Sequence, residues 1–151
     1  MLVKNKVLVY LTWRNKLLYF TQPKFPEAGR QVIAGSMEQD ETSAEAALRE
    51  LKEESGIETA RLVRVLGDFF YSMEKFGKKE IHHRHVVHLV VSDTLSLAES
   101  WTFFEKHPSS GGAPIQFHLQ WTSLATPEPL IGGHDFFLPM LRHSILEFTE
   151  N

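Results

Sequence analysis

Glu50, Glu53 and Glu54 are the residues whose types and spacing could do chemistry. They stand at i, i+3 and i+4, so on an α-helix their side chains are neighbours, about 5–6 Å apart at Cβ. Like charges placed this way destabilise a helix. The cluster is tolerable if it is fully solvated, or if a hard divalent cation takes several carboxylate oxygens from one rigid element. The ExxEE cluster alone does not choose between the two, because solvated glutamate-rich helix faces are common.

The surrounding sequence does choose. From Gly35 the chain reads GSMEQDETSAEAALRELKEESGI. Gly35, Glu41, Arg49, Glu50, Leu51, Glu53, Glu54, Gly56 and Ile57 fill every specified position of the pattern G-x5-E-x7-R-E-U-x-E-E-x-G-U, where U is aliphatic. At average residue frequencies, a chance match in a chain of this length falls below about one in a million. The segment resembles the Nudix box, and the flanking strand pattern is similar to that of the Nudix fold.

The resemblance implies an α/β (α+β) domain, with a mixed β-sheet sandwiched between helices. It also implies Mg²⁺-dependent (or Mn²⁺-dependent) hydrolysis of a phosphoanhydride bond in a nucleoside diphosphate-linked or nucleoside triphosphate substrate. Glu50, Glu53 and Glu54, with the carbonyl of Gly35, are its expected metal ligands. Arg49 is expected to orient a ligand carboxylate by fork-shaped pairing. Glu41 is expected to hold the loop between Gly35 and the helix. The proton of the attacking water needs an acceptor. Glu53 and Glu54 are candidates, and so are Glu99 and Glu105 in a later irregular segment, since some family members use a glutamate from there. A non-catalytic nucleotide sensor of the same fold is the alternative, but such modules typically lose box carboxylates and this box is intact. The isomerase branch uses an active-site cysteine, and this chain has none.

Outside the box, Arg30 precedes the strand that leads into it and is a candidate phosphate contact. Arg84 is another, within a run where His82, His83, His85 and His88 also fall. As a strand this run puts His83, His85 and Val87 on one face and His82, Arg84 and His88 on the other. Polar strand positions lining a cleft explain these histidines better than a transition-metal site. Phe25 and Tyr71 are candidates to stack on a base. The proline that follows the box in ADP-ribose hydrolases is not found around Tyr71-Ser72-Met73-Glu74, and Tyr71 lies near, but not at, the place of the tyrosine of dinucleoside polyphosphate hydrolases. Neither subgroup is supported.

Several elements must position these residues. Val3–Thr12 and Leu17–Thr21 read as a hairpin around Arg14-Asn15-Lys16, and 31–34 as a short strand ending at Gly35. Thr42–Ser55 reads as a helix: Thr42 and Glu45 have capping-box spacing, and Gly56 suits a left-handed C-cap. Ala44, Ala47, Leu48 and Leu51 are its expected core stripe. Ala60–Tyr71 and Glu80–Ser92 read as strands, and Asp93–Ala113 as irregular, with a loop at Pro108–Gly112. Alternation predicts a half-buried strand over Pro114–Thr122. Asp135 is the expected N-cap of a last helix running to about Phe148.

The 151 residues fit one domain, residues 1–151. With 42% hydrophobic and 23% charged residues the chain reads as globular, able to bury a core without disulfides or a structural metal. The absence of cysteine excludes a thiolate nucleophile and a cysteine-ligated zinc site. A net charge of −3 offers no general affinity for nucleic acid. No apolar stretch is long enough to span a bilayer, and no signal peptide is read. The expectation is a cytoplasmic monomer or homodimer acting on a small nucleotide-like molecule, with neither nucleic acid nor membrane as partner.

Overall fold

The computed structural model describes residues 1–108 and 111–150, the last three by backbone alone. Ser109 and Ser110, inside the expected Pro108–Gly112 loop, lie outside the described residues. The chain runs β1 (Leu2–Trp13), β2 (Lys16–Thr21), β3 (Ile33–Ser36), α1 (Ser43–Ser55), β4 (Arg61–Ser72), β5 (Glu80–Val90), β6 (Ser100–Glu105), β7 (Ile115–Ser123) and α2 (Leu138–Glu150).

The strands form one mixed sheet in the order β4-β5-β1-β2-β7-β6, with β3 also on β1. Among the described strands only β1 and β5 pair in parallel, from Leu2↔Glu80 to Thr12↔Val90. On its other edge β1 pairs first with β3, at Lys6–Val9, and then with β2, at Thr12–Trp13. The β1–β2 hairpin closes through Arg14 and Asn15, both at positive φ, as a two-residue turn compatible with strand twist requires. Arg14 is held there by Asp93, whose Oδ1 accepts from its backbone N–H at 3.1 Å and whose carbonyl accepts from Nε at 2.9 Å.

Alternating side chains divide the core between the two faces of the sheet. Val7, Val9, Leu11, Phe20, Val87, Leu89 and Leu119 pack under α1, against Ala46, Ala47 and Leu51. Leu8, Tyr10, Leu17, Val86 and Leu124 pack under α2, against Leu138 and Leu141. The result is a sheet between two helices.

Three expectations are corrected. The segment read as irregular contains β6, which pairs with β7 from Ser100↔Gln120 to Glu105↔Ile115. Asp135 does not cap the last helix, which begins at Leu138. Pro139 has no N–H to give the carbonyl of Asp135, so a helix capped there would lack its first bond. The α1 stripe is rolled relative to expectation: Ala46, Ala47, Glu50, Leu51 and Glu54 are buried, while Leu48 is 39% exposed. The roll that turns Glu50 and Glu54 toward the sheet turns Leu48 outward.

Candidate active site

The site is assembled on α1, and local sequence explains why the helix starts and stops where it does. The Thr42 hydroxyl accepts from the Glu45 amide at 3.1 Å, and the Glu45 carboxylate accepts from the Thr42 amide at 3.0 Å, a complete capping box. At the other end Gly56 has φ 81°, and a Cβ there would also press within 2.8 Å of the Phe103 ring. Glycine therefore satisfies both the left-handed cap and the close packing of β6.

Arg49 is the hub of the acidic face. Its Nε and one terminal nitrogen donate to the two oxygens of Glu41, at 2.8 and 2.9 Å. The same terminal nitrogen reaches the carbonyl of Ser36 at 2.9 Å, and the other donates to Glu50 at 2.9 Å and to Glu53 at 3.3 Å. This bidentate pairing holds the Glu41 carboxyl below its usual range and ties the end of β3 to the helix. Glu41 also accepts from the Glu38 amide at 2.9 Å, which pins the connecting loop.

The three box glutamates have different environments. Glu50 and Glu54 are buried, whereas the Glu53 side chain is half exposed on the rim. Glu105, half-buried at the end of β6, completes the group: one ligand atom from each of Glu50, Glu54 and Glu105 lies within 4.8 Å of the others. Among the described residues no other set of His, Asp and Glu side chains brings three ligand atoms so close. Gly35 of β3 faces the cluster so closely that a Cβ there would overlap the Glu50 carboxylate.

Electrostatics follows from this crowding. Burial, and then the charges of Glu50 and Glu105, push the Glu54 carboxyl well above its ordinary range. Burial raises Glu50 too, against the opposing pull of Arg49. Glu105 is pushed up to about 7, by burial first and then by Glu50 and Glu53. A buried set of oxygen donors that repel one another fits a hard divalent cation, whose charge removes the repulsion. The arrangement can therefore hold such an ion and place a proton acceptor beside it.

The other sequence-predicted residues lie elsewhere. Glu99 precedes β6 at the end remote from Glu105, roughly 20 Å away along the strand, and is exposed. Arg30, half-buried, pairs with the exposed Glu128 at 3.5 Å. Phe25 is 51% exposed in the loop after β2. Arg84 lies on the α2-facing side of the sheet, only 5% exposed. Its guanidinium sits 4.1 Å from the centroid of the Tyr71 ring and donates to the carbonyl of Gly132. Arg84 and Tyr71 thus clamp the Gly132–Gly133 turn and are not brought to the carboxylates. The expected split of the histidines between sheet faces is found: His83 pairs with Asp68 at 2.6 Å, while His88 bridges Thr12 and Ser144, each at 2.8 Å. Sequence reasoning missed a cleft beside the cluster, between α1 and the end of β6, which Lys52, Phe103, Phe104, Lys106 and His107 help to line.

Comparison with known proteins agrees with this geometry. The NUDIX domain model matches residues 3–110. No curated protein matches the sequence. Solved structures share the fold at low identity. A UDP-X diphosphatase superposes with TM-score 0.64 at 15% identity, over 98% of this chain and 65% of that one. The chain thus spans about two-thirds of that protein's length. The E. coli ORF135 protein gives 0.60 at 20% identity, over 95% and 91%. The C. elegans Ap4A hydrolase gives 0.60 at 15% identity, over 98% and 99%. With its box complete and its domain model matched over most of its length, the chain belongs to the Nudix hydrolase family.

Proposed function

We propose that this chain hydrolyses a phosphoanhydride bond in a nucleoside diphosphate-linked or nucleoside triphosphate substrate, using Mg²⁺ or Mn²⁺ held by Glu50 and Glu54. The observation that carries this reading is the approach of the buried Glu50 and Glu54 and the half-buried Glu105 to within 4.8 Å of one another. The Gly35 carbonyl and the rim carboxylate of Glu53 are further ligand candidates. When bound, the cation supplies charge neutralisation on the diphosphate and a water acidic enough to lose its proton near neutral pH. Glu105, brought beside that cluster by the end of β6, is placed to accept that proton. Arg49 keeps Glu50 aimed at the site and Glu41 out of it.

The domain is proposed to span residues 1–151 and to act in the cytoplasm as a monomer or homodimer. Among the described residues no helix is long and apolar enough to cross a membrane. The test is a Mg²⁺-supplemented screen of the purified protein against nucleotide sugars, dinucleoside polyphosphates, ADP-ribose, coenzyme A and nucleoside triphosphates, scored by mass spectrometry. Cleavage between two phosphorus atoms of at least one substrate is expected. Binding without turnover across the whole set would instead identify a sensor.

A further inference from the structure

Arg84 is a buried cation without a counter-ion. Its guanidinium is met by the Gly132 carbonyl, by the Met73 thioether at 3.9 Å and by the Tyr71 ring at 4.1 Å. No carboxylate pairs with it among the described residues. A carbonyl dipole, a weakly accepting sulfur and a ring face do not neutralise a buried charge, which is costly unless paired. The same ring carries a second unmet group: the Tyr71 hydroxyl is buried and finds no hydrogen-bond partner among the described residues. Buried polar atoms in folded proteins are mostly satisfied, so two unmet donors in one contact need a reason.

The surroundings add positive charge. Glu80, on the same strand face, already holds Lys4 at 3.1 Å and His82 at 2.9 Å. Lys6, level with Arg84 on β1, donates to the Ser36 hydroxyl at 2.7 Å and forms no ion pair among the described residues. Lys75 Nζ lies 4.9 Å from the centroid of the Tyr71 ring. We propose that Arg84, the Tyr71 hydroxyl and Lys6 form a phosphate site on the α2 face of the sheet, separate from the carboxylate cluster. Two cations without acidic partners suit the roughly two negative charges of a phosphate better than the single charge of a carboxylate. The phosphate oxygens replace the Met73 thioether on the guanidinium and accept from Tyr71 and Lys6. Met73 is only half-buried, at the start of the exposed segment 74–79, so its flexible side chain can turn aside. Arg84, Lys6 and Ser36 stand side by side on β5, β1 and β3, so strand spacing puts the Arg84 Cα about 10 Å from that of Ser36, the neighbour of Gly35. The group bound is therefore a free phosphate ion or a remote phosphate of a substrate whose diphosphate lies at the carboxylates.

The first arm of the test titrates inorganic phosphate by calorimetry into the full chain, stripped of metal over a chelating resin, against chloride at equal ionic strength. Without a cation the carboxylate cluster repels phosphate, so binding reports the cationic site alone. The parent is expected to bind, and Tyr71→Phe and Arg84→Met each to weaken binding about tenfold or more, the worth of a hydrogen bond to a charged group. Tyr71→Phe should melt at or above the parent's temperature, because it deletes a buried hydroxyl that bonds nothing. The proposal is overturned if phosphate does not bind the metal-free parent, if either folded variant binds it as the parent does, or if Tyr71→Phe melts well below the parent. The second arm adds Mg²⁺ and the best substrate of the screen to find the source. A raised KM in Tyr71→Phe makes the phosphate the substrate's own, and an unchanged KM beside weakened phosphate binding makes it a free ion. The hydrolase reading fails separately, since phosphate binding is read without metal or turnover.

Discussion

Single residues of the box carry distinct burdens, and substitutions can separate them. Glu54 is buried with its carboxyl raised by two acidic neighbours, so Glu54→Gln removes a repulsion from the folded protein. In the absence of metal its melting temperature should equal or exceed that of the parent. Single-turnover rate at saturating Mg²⁺ should nonetheless fall by roughly a hundredfold or more, the scale for losing one preorganised electrostatic group. An undiminished rate would mean that Glu54 is not part of the working site. Gly35→Ala tests the opposite contact. The added methyl overlaps the Glu50 carboxylate, so it should cost about 1–3 kcal/mol of stability and weaken Mn²⁺ binding, as read by melting and by titration. The sequence made these residues legible as a motif but not their unequal burial. Glu53 and Glu54 are adjacent in the chain, and which of them faces inward depends on β6, a strand the sequence reading did not place. The surroundings of Arg84 were hidden for a related reason. Its strand position was read correctly, but its partners Tyr71 and Gly132 come from distant segments.

At the scale of elements, α1 was the most legible, because its caps and its periodicity are local. Thr42→Ala removes the hydroxyl half of the capping box and should cost about 1 kcal/mol, measured by denaturant midpoint. Leu51→Ala empties a fully buried position under the helix and should cost roughly 2–5 kcal/mol. A Leu51→Ala protein as stable as its parent would contradict the packing of α1 on the sheet. β6 was missed although its alternation is visible in hindsight, with Trp101, Phe103 and Glu105 turned toward α1 and Thr102 and Phe104 away. Glu105 breaks that short apolar alternation at its inward end, where β6 delivers its carboxylate to the cluster. The start of α2 was likewise hidden, since Asp135 offers a good cap and only Pro139 argues against it.

The whole molecule shows its organisation in its response to acid. His88 and His134 are buried under α2, and burial lowers them from 6.5 to about 4 and about 3. The ring of His134 accepts from the Val32 amide at 3.0 Å, a bond that protonation breaks. Both groups bind protons more readily unfolded than folded, so their contribution to stability is present above pH 6.5 and is lost as pH falls toward 4. The loss should reach on the order of a few kcal/mol, seen as a falling denaturant midpoint between pH 7 and pH 4.5. His134→Gln, which keeps an acceptor for the Val32 amide, should flatten that slope, and an unaltered slope would remove His134 from the account. The layered fold follows from the alternating strands and was legible, while the cleft was not, because it exists only where α1 meets β6. The central claim concerns the carboxylates of Glu50, Glu54 and Glu105 and the cation proposed to sit among them. Its most direct test is the hydrolysis rate on the best substrate from the screen, measured after exhaustive chelation with EDTA and again after adding back Mg²⁺ or Mn²⁺. The account predicts background rate in EDTA and full recovery on metal addition, and hydrolysis that persists through exhaustive chelation would contradict it.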